Sequence, residues 1–149
     1  MDKVSVIIPT YNRFKSLLNA VNSVINQTYQ NIEIIIVNDC STEKEYYEYN
    51  FGNNINIIHL TQNSKEKFGI GSAGYTRNEG IKQSSGQYIA FLDDDDSWFP
   101  EKLDLQINAM KQTGCKMSCT DGLIGHDIIY NNQNNINYRK YNAEFFTMK

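Results

Sequence analysis

No stretch of 18 consecutive apolar residues occurs in the 149-residue chain, so nothing in it reads as a membrane span. Basic residues do not dominate. Fourteen Lys and Arg face 17 Asp and Glu, and a net charge of −3 gives no electrostatic footprint for nucleic acid. Cysteine is scarce and odd in number: Cys40, Cys115 and Cys119 form no paired framework and read as reduced thiols in a cytoplasmic protein. The last two have C-x3-C spacing but lack the second pair that a zinc site needs. There is no internal repeat. The opening "MDKVSVIIPT" has one Lys and a short apolar run that ends in Pro9, the pattern of a first strand and not of a signal peptide.

What is present has the length of about one domain, long enough to bury roughly two thirds of its unfolded surface. Apolar runs at 4–9, 32–38, 55–60 and 88–92 predict buried strands, and "CKMSCT" (115–120) predicts a fifth. Helical spacing over 13–26, 72–84 and 100–113 predicts helices between them. A short helix is expected over 43–50 behind a Thr42/Glu45 capping box, and Asn12 has the chemistry of a cap for the helix that follows it. Residues 61–71 read as a polar loop. Strands alternating with helices mean an α/β fold with a parallel sheet. Ligands of such sheets bind at the carboxyl ends of the strands. Attention therefore falls on "TYNR" (10–13), "DCST" (39–42) and "DDDD" (93–96).

The stretch "GIGSAG" (69–74) matches the dinucleotide fingerprint G-x-G-x-x-G, but in the wrong place. The true fingerprint fills the turn after the first strand, where this chain has "TYNR". Here Gly69 and Gly71 read as a flexible loop, and Gly74 as a residue that lets the following helix pack closely.

"FLDDDDSW" is the most informative run. At a spacing of about 6 Å and an effective dielectric near 20, adjacent carboxylates repel by roughly 3 kcal/mol before screening. Water relieves that cost, and so does a hard cation such as Mn²⁺ or Mg²⁺, which takes carboxylate and phosphate oxygens together. If the run is extended, Asp93 and Asp95 share a face. Asp39, after the second strand, can accept an N–H from uracil or guanine. Tyr11 can stack on the same base. Arg77 can face a diphosphate or pair with a surface carboxylate.

In this order, "VSVIIPTYNR" (4–13), "IEIIIVNDCST" (32–42) and "GSAGYTRNEGIKQSSGQYIAFLDDDDSWFPEKL" (71–103) resemble the family 2 glycosyltransferases of the GT-A fold. The resemblance implies a Rossmann-like sandwich, a mostly parallel central sheet with helices on both faces. It implies an inverting, metal-dependent transfer of sugar from a nucleotide diphosphate, a UDP-sugar, to an acceptor hydroxyl. Residue by residue, Pro9 (through its backbone) and Tyr11 would border the base, and Asp39 would read the uracil. Arg77 would lie near the nucleotide or diphosphate. Asp94 would lie at the nucleotide, Asp93 and Asp96 in the donor-sugar and metal region, and Asp95 would be the metal ligand. Four aspartates leave the D-x-D register open between 93/95 and 94/96. The family's carboxylate base belongs to the acceptor half. Asp121, Asp127 and Glu144 stand in no recognisable family context, so the base is expected outside this chain. The expected layout is one GT-A domain over 1–149, truncated, with a donor-binding part over about 1–121. The remainder, 122–149, would be irregular or the start of the acceptor half. The alternative is a nucleotide-sugar-binding module without its own base.

Overall fold

The computed structural model describes residues 1–120. The chain divides into two compact units, 1–103 and 104–149. The first unit carries β1 (Val4–Thr10), α1 (Phe14–Ile25), β2 (Ile32–Asn38), α2 (Glu45–Glu48), β3 (Ile55–His59), α3 (Ser64–Phe68), α4 (Ala73–Gln83) and β4 (Tyr88–Phe91). The last helix among the described residues, α5 (Lys102–Thr113), begins at its end.

The strands form a four-stranded sheet in the order β3-β2-β1-β4, and every neighbouring pair is parallel. All seven residues of β1 are buried, as a nearly continuous apolar run requires when both sheet faces are covered. Because side chains alternate along a strand, Ile7, Ile35 and Val37 fall on one face. There α4 crosses β1 and β2. Gly80 makes that crossing possible: a Cβ on it would lie 2.5 Å from Ile7 Cγ2 and 3.1 Å from Val37 Cγ2. On the other face, Val24 of α1 lines a cleft with Ile32 and Ile34 of β2. The buried stripe Phe14, Leu17, Val21 and Val24 is the amphipathic signature that makes α1 a helix against a sheet.

Several expectations need correction. The capping box at Thr42 and Glu45 does not form, and the helix shrinks to Glu45–Glu48 with no side-chain cap. Thr42 N–H instead donates to Asn12 Oδ1 (2.7 Å). Asn12 in turn does not cap α1. It sits at φ 50°, and the first free N–H of the helix, Phe14 N, goes to Glu43 Oε2 (2.9 Å). The two loops thus bond to each other across the sheet end. The expected loop at 61–71 contains α3, with Asn63 accepting from Lys65 N and Gly69 at φ 78° as its left-handed stop. Gly69 is therefore a cap and not a flexible link. A Cβ on Gly74 would meet nothing within 4 Å; close packing belongs to Gly80 and Gly86. The expected strand at 115–120 is absent from the described residues; there Gln106 Nε2 donates to Ser118 Oγ (3.0 Å). Within those residues no helix is long and apolar enough to cross a membrane.

Candidate functional site

The sheet changes direction at β1. From β1 the chain moves outward through β2 and β3, then returns to the other side as β4. The carboxyl ends of β1 and β4 therefore flank a topological switch point, where α/β sheets hold ligands.

Residues 93–96 close a turn there, with Asp96 N–H donating to Asp93 O (3.1 Å). The run is not extended, so Asp93 and Asp95 do not share a face as the alternation argument required. Each goes to a different arginine. Asp93 pairs with Arg77, whose guanidinium also lies 6.0 Å from the Phe91 ring centre. Asp95 Oδ2 lies 2.7 Å from Arg13 Nη1. Arg77 thus makes the carboxylate pair that one of its two sequence readings expects.

Asp94 is the buried member, 5% exposed. It accepts from Thr10 Oγ1 (2.7 Å) and from Arg13 Nη1 (3.1 Å). Burial is the largest influence on its carboxyl and raises its pKa, against the opposing pull of Thr10 and Arg13. Asp96 is raised too, by burial first and then by Asp95, Asp93 and Asp94.

Asp39 is buried at the end of β2. Its Oδ1 accepts from Ser64 N (2.7 Å) and its Oδ2 from Ser64 Oγ (2.6 Å), which ties α3 to the strand end. A carboxylate has about four acceptor sites, so two stay available for a base. Asp39 N–H donates to Thr10 O (2.9 Å) and joins the two loops. Pro9 is buried beside Val37 in the β1–β2 register, and Tyr11 is 48% exposed, a ring face open for stacking.

Sequence reasoning singled out the loop 10–13 but gave Thr10 and Arg13 no role, and it missed Tyr46 and Ser64. For Arg13 a signal existed: a lone cation in the loop after β1, across from four carboxylates. Among the described residues no three His, Cys, Asp or Glu side chains gather to enclose a metal ion. The donors fit the other mode, in which a hard cation takes one or two carboxylates and completes its shell with substrate phosphates. Asp95, 56% exposed at the tip of the turn, suits that sharing. Asp121, Asp127 and Glu144 lie outside the described residues.

Comparison with known proteins settles the family. The family model described as glycosyl transferase family 2 matches residues 5–148. The chain belongs to glycosyl transferase family 2. An uncharacterized glycosyltransferase of Rickettsia bellii is 45% identical over 118 residues, which are 79% of this chain and 16% of that protein. The Escherichia coli protein WfaP, named a UDP-Glc:alpha-D-GlcNAc-diphosphoundecaprenol beta-1,3-glucosyltransferase, is 37% identical over 129 residues, 87% of this chain and 49% of that one. The chain thus spans less than half of either relative. Staphylococcus aureus TarS 1-349 in complex with UDP-GlcNAc superimposes with a TM-score of 0.65 at 26% identity, over 87% of this chain and 38% of that one. The sheet and helices of this family 2 chain are those of the GT-A fold.

Proposed function

We propose that this family 2 chain binds a UDP-sugar at the β1–β4 switch point and acts in the metal-dependent, inverting transfer of its sugar to an acceptor hydroxyl. One observation carries the reading: Asp39 and the acidic turn, 55 residues apart in sequence at Asp39 and Asp94, are joined through Thr10 at one sheet end. The likeness to a transferase solved with UDP-GlcNAc supports the nucleotide. That relatives are named transferases favours an enzyme over a binding module.

In this reading the donor-binding part is about 1–121. Tyr11 stacks on the uracil, Pro9 lines it through its backbone, and the free lone pairs of Asp39 accept its N3–H. Arg77 and Arg13 stand where a diphosphate arrives. Asp94, fixed by Thr10, borders the nucleotide. Asp95, with Asp93 and Asp96 beside it, would hold Mn²⁺ or Mg²⁺. That cation, when bound, neutralises the charge that builds on the departing diphosphate. No catalytic base is assigned among residues 1–120. A cytoplasmic site of action fits three unpaired thiols.

The test is a calorimetric titration of UDP with Mn²⁺ and with chelator. Affinity is expected to be higher with Mn²⁺; equal affinity in both removes the metal role. Asp39→Asn presents an amide N–H to the uracil N3–H. Loss of one charge-assisted bond of about 1.5–3 kcal/mol predicts binding weaker by roughly 10- to 100-fold. An unchanged dissociation constant removes the base-reading role.

A further inference from the structure

Arg13 already holds the acidic turn as a cation would. A single nitrogen, Nη1, sits 3.1 Å from Asp94 Oδ1 and 2.7 Å from Asp95 Oδ2. The backbone beneath it is fixed. Arg13 N–H donates to the Tyr46 hydroxyl (3.0 Å), and Asn12, at φ 50°, donates its N–H to Ser41 Oγ (2.9 Å). The side chain is not fixed in the same way, since it is 53% exposed. It can therefore leave by rotamer changes alone, with the loop in place. The Arg13–Asp95 pair joins two exposed side chains and adds little to stability, so that contact is readily opened.

The two carboxylates depend on Arg13 unequally. Asp94 is also held by Thr10 Oγ1, so its position survives without the arginine. Asp95 is 56% exposed, and Arg13 is the cation the structure sets against it.

We propose that Arg13 is an exchangeable counter-cation of the acidic turn. It neutralises Asp94 and Asp95 while the site is free. It yields Asp95 to a divalent cation that arrives with a nucleotide diphosphate, whose oxygens then receive the guanidinium. This rests on the assignment of Asp95 as metal ligand. The physical reason is that a guanidinium and a divalent ion repel each other at one carboxylate. A bare cation must displace Arg13 with no new partner for it, whereas a diphosphate supplies the planar oxygen pairs that guanidinium matches. Arg13 thereby links cation binding to nucleotide binding. Such a coupling is reciprocal, and each ligand tightens the other by the same factor.

The experiment titrates the full 149-residue chain with Mn²⁺, in the absence and presence of UDP, for wild type, Arg13→Gln and Arg13→Met. Both variants are expected to bind Mn²⁺ alone about fivefold or more tightly than wild type, in the range of ordinary coupling factors. The factor by which UDP tightens Mn²⁺ binding is expected to shrink in both. Mn²⁺ affinity without nucleotide that is unchanged or weaker in both folded variants overturns the proposal. Asp95→Asn separates the two ideas. If it leaves the Mn²⁺ dependence of UDP binding intact, the metal assignment fails. If it abolishes that dependence while the Arg13 variants bind Mn²⁺ like wild type, only the role of Arg13 fails.

Discussion

Tyr46 shows how one buried hydroxyl joins the parts of the site. Thr10 gives its only hydroxyl proton to Asp94, so at 2.6 Å the Tyr46 hydroxyl must donate to Thr10 Oγ1. The Tyr46 oxygen accepts the Arg13 N–H. Burial is the main reason its pKa lies above the usual tyrosine range, with Thr10 and Arg13 pulling it down. Its ring packs edge-on to Phe14, with centres 5.2 Å apart. Tyr46→Phe keeps that packing and strands the polar partners of the hydroxyl. A loss of about 1–3 kcal/mol is expected, measured as a lower urea midpoint with unchanged slope. Nothing in the sequence marks Tyr46 for this task, because its partner Thr10 is 36 residues away. Ser64 is hidden in the same way, 25 residues from Asp39. Asp39 and the acidic run were legible because they directly follow apolar runs, and a strand end is where a parallel sheet puts its chemistry.

Among the elements, α4 is the one whose placement depends on a single missing atom. Its pattern is weakly amphipathic, and its middle turn comes down on β1 and β2 at Gly80. Alanine there would gain about 1 kcal/mol of helix propensity. It would also push a methyl to 2.5 Å from Ile7 Cγ2, on a β-branched side chain with little rotamer freedom. Overpacking of this kind costs about 1–3 kcal/mol, so Gly80→Ala is expected to be net destabilising. A thermal midpoint at or above wild type would show that α4 rides higher on the sheet than its contact at Ile7 implies. Because α4 carries Arg77 to Asp93, the same variant is expected to weaken UDP binding. From the sequence, closeness was expected at Gly74. Glycines are visible in a sequence, but which one meets a neighbour depends on the rotation of the helix about its axis. The short α3 was illegible for a related reason. A five-residue charged helix has little stability of its own, and this one is held by Asp39, Asn63 and Gly69.

Across the whole molecule, the end of the sheet opposite the site is closed by a polar network around Glu33. Its carboxylate accepts from Ser5 Oγ, from Ser85 N (2.7 Å) and from Lys3 Nζ (2.6 Å). Gly86 N–H donates to Ser5 Oγ (2.8 Å), so β2, β1 and the approach to β4 are tied together. Burial alone would raise the Glu33 pKa, but the bonds from Lys3, Ser5 and Ser85 together bring it down from 4.5 to about 2. A depressed carboxyl stabilises the fold above its ordinary range and loses that contribution as pH falls from 4.5 toward 2. The full shift corresponds to about 3 kcal/mol, reduced to about 1–2 where the half-exposed Lys3 is screened by solvent. Asp94 and Asp96 act in the opposite sense, since their raised values favour the fold on acidification. Glu33→Gln against wild type isolates the first effect. The variant is expected to be less stable at pH 7 by about 1–2 kcal/mol, with the gap closing below pH 4.5. A gap that stays constant to about pH 2.5 would show that Glu33 acts by packing and not by charge.

By itself the sequence determined the alternation of strands and helices, the parallel sheet, and the loops where chemistry must sit. Those follow from local apolar periodicity and from short-range backbone preference, which one stretch of chain carries whole. Only the tertiary structure decided which residues partner one another there: Arg13 with Asp94 and Asp95, Arg77 with Asp93, Ser64 with Asp39. It also decided that the acidic run is a turn with one carboxyl buried and three exposed. The physical reason is that partner choice is set by strand order and register. Here the order β3-β2-β1-β4 puts the ends of β1 and β4 side by side, although more than 80 residues of chain lie between Thr10 and Asp94.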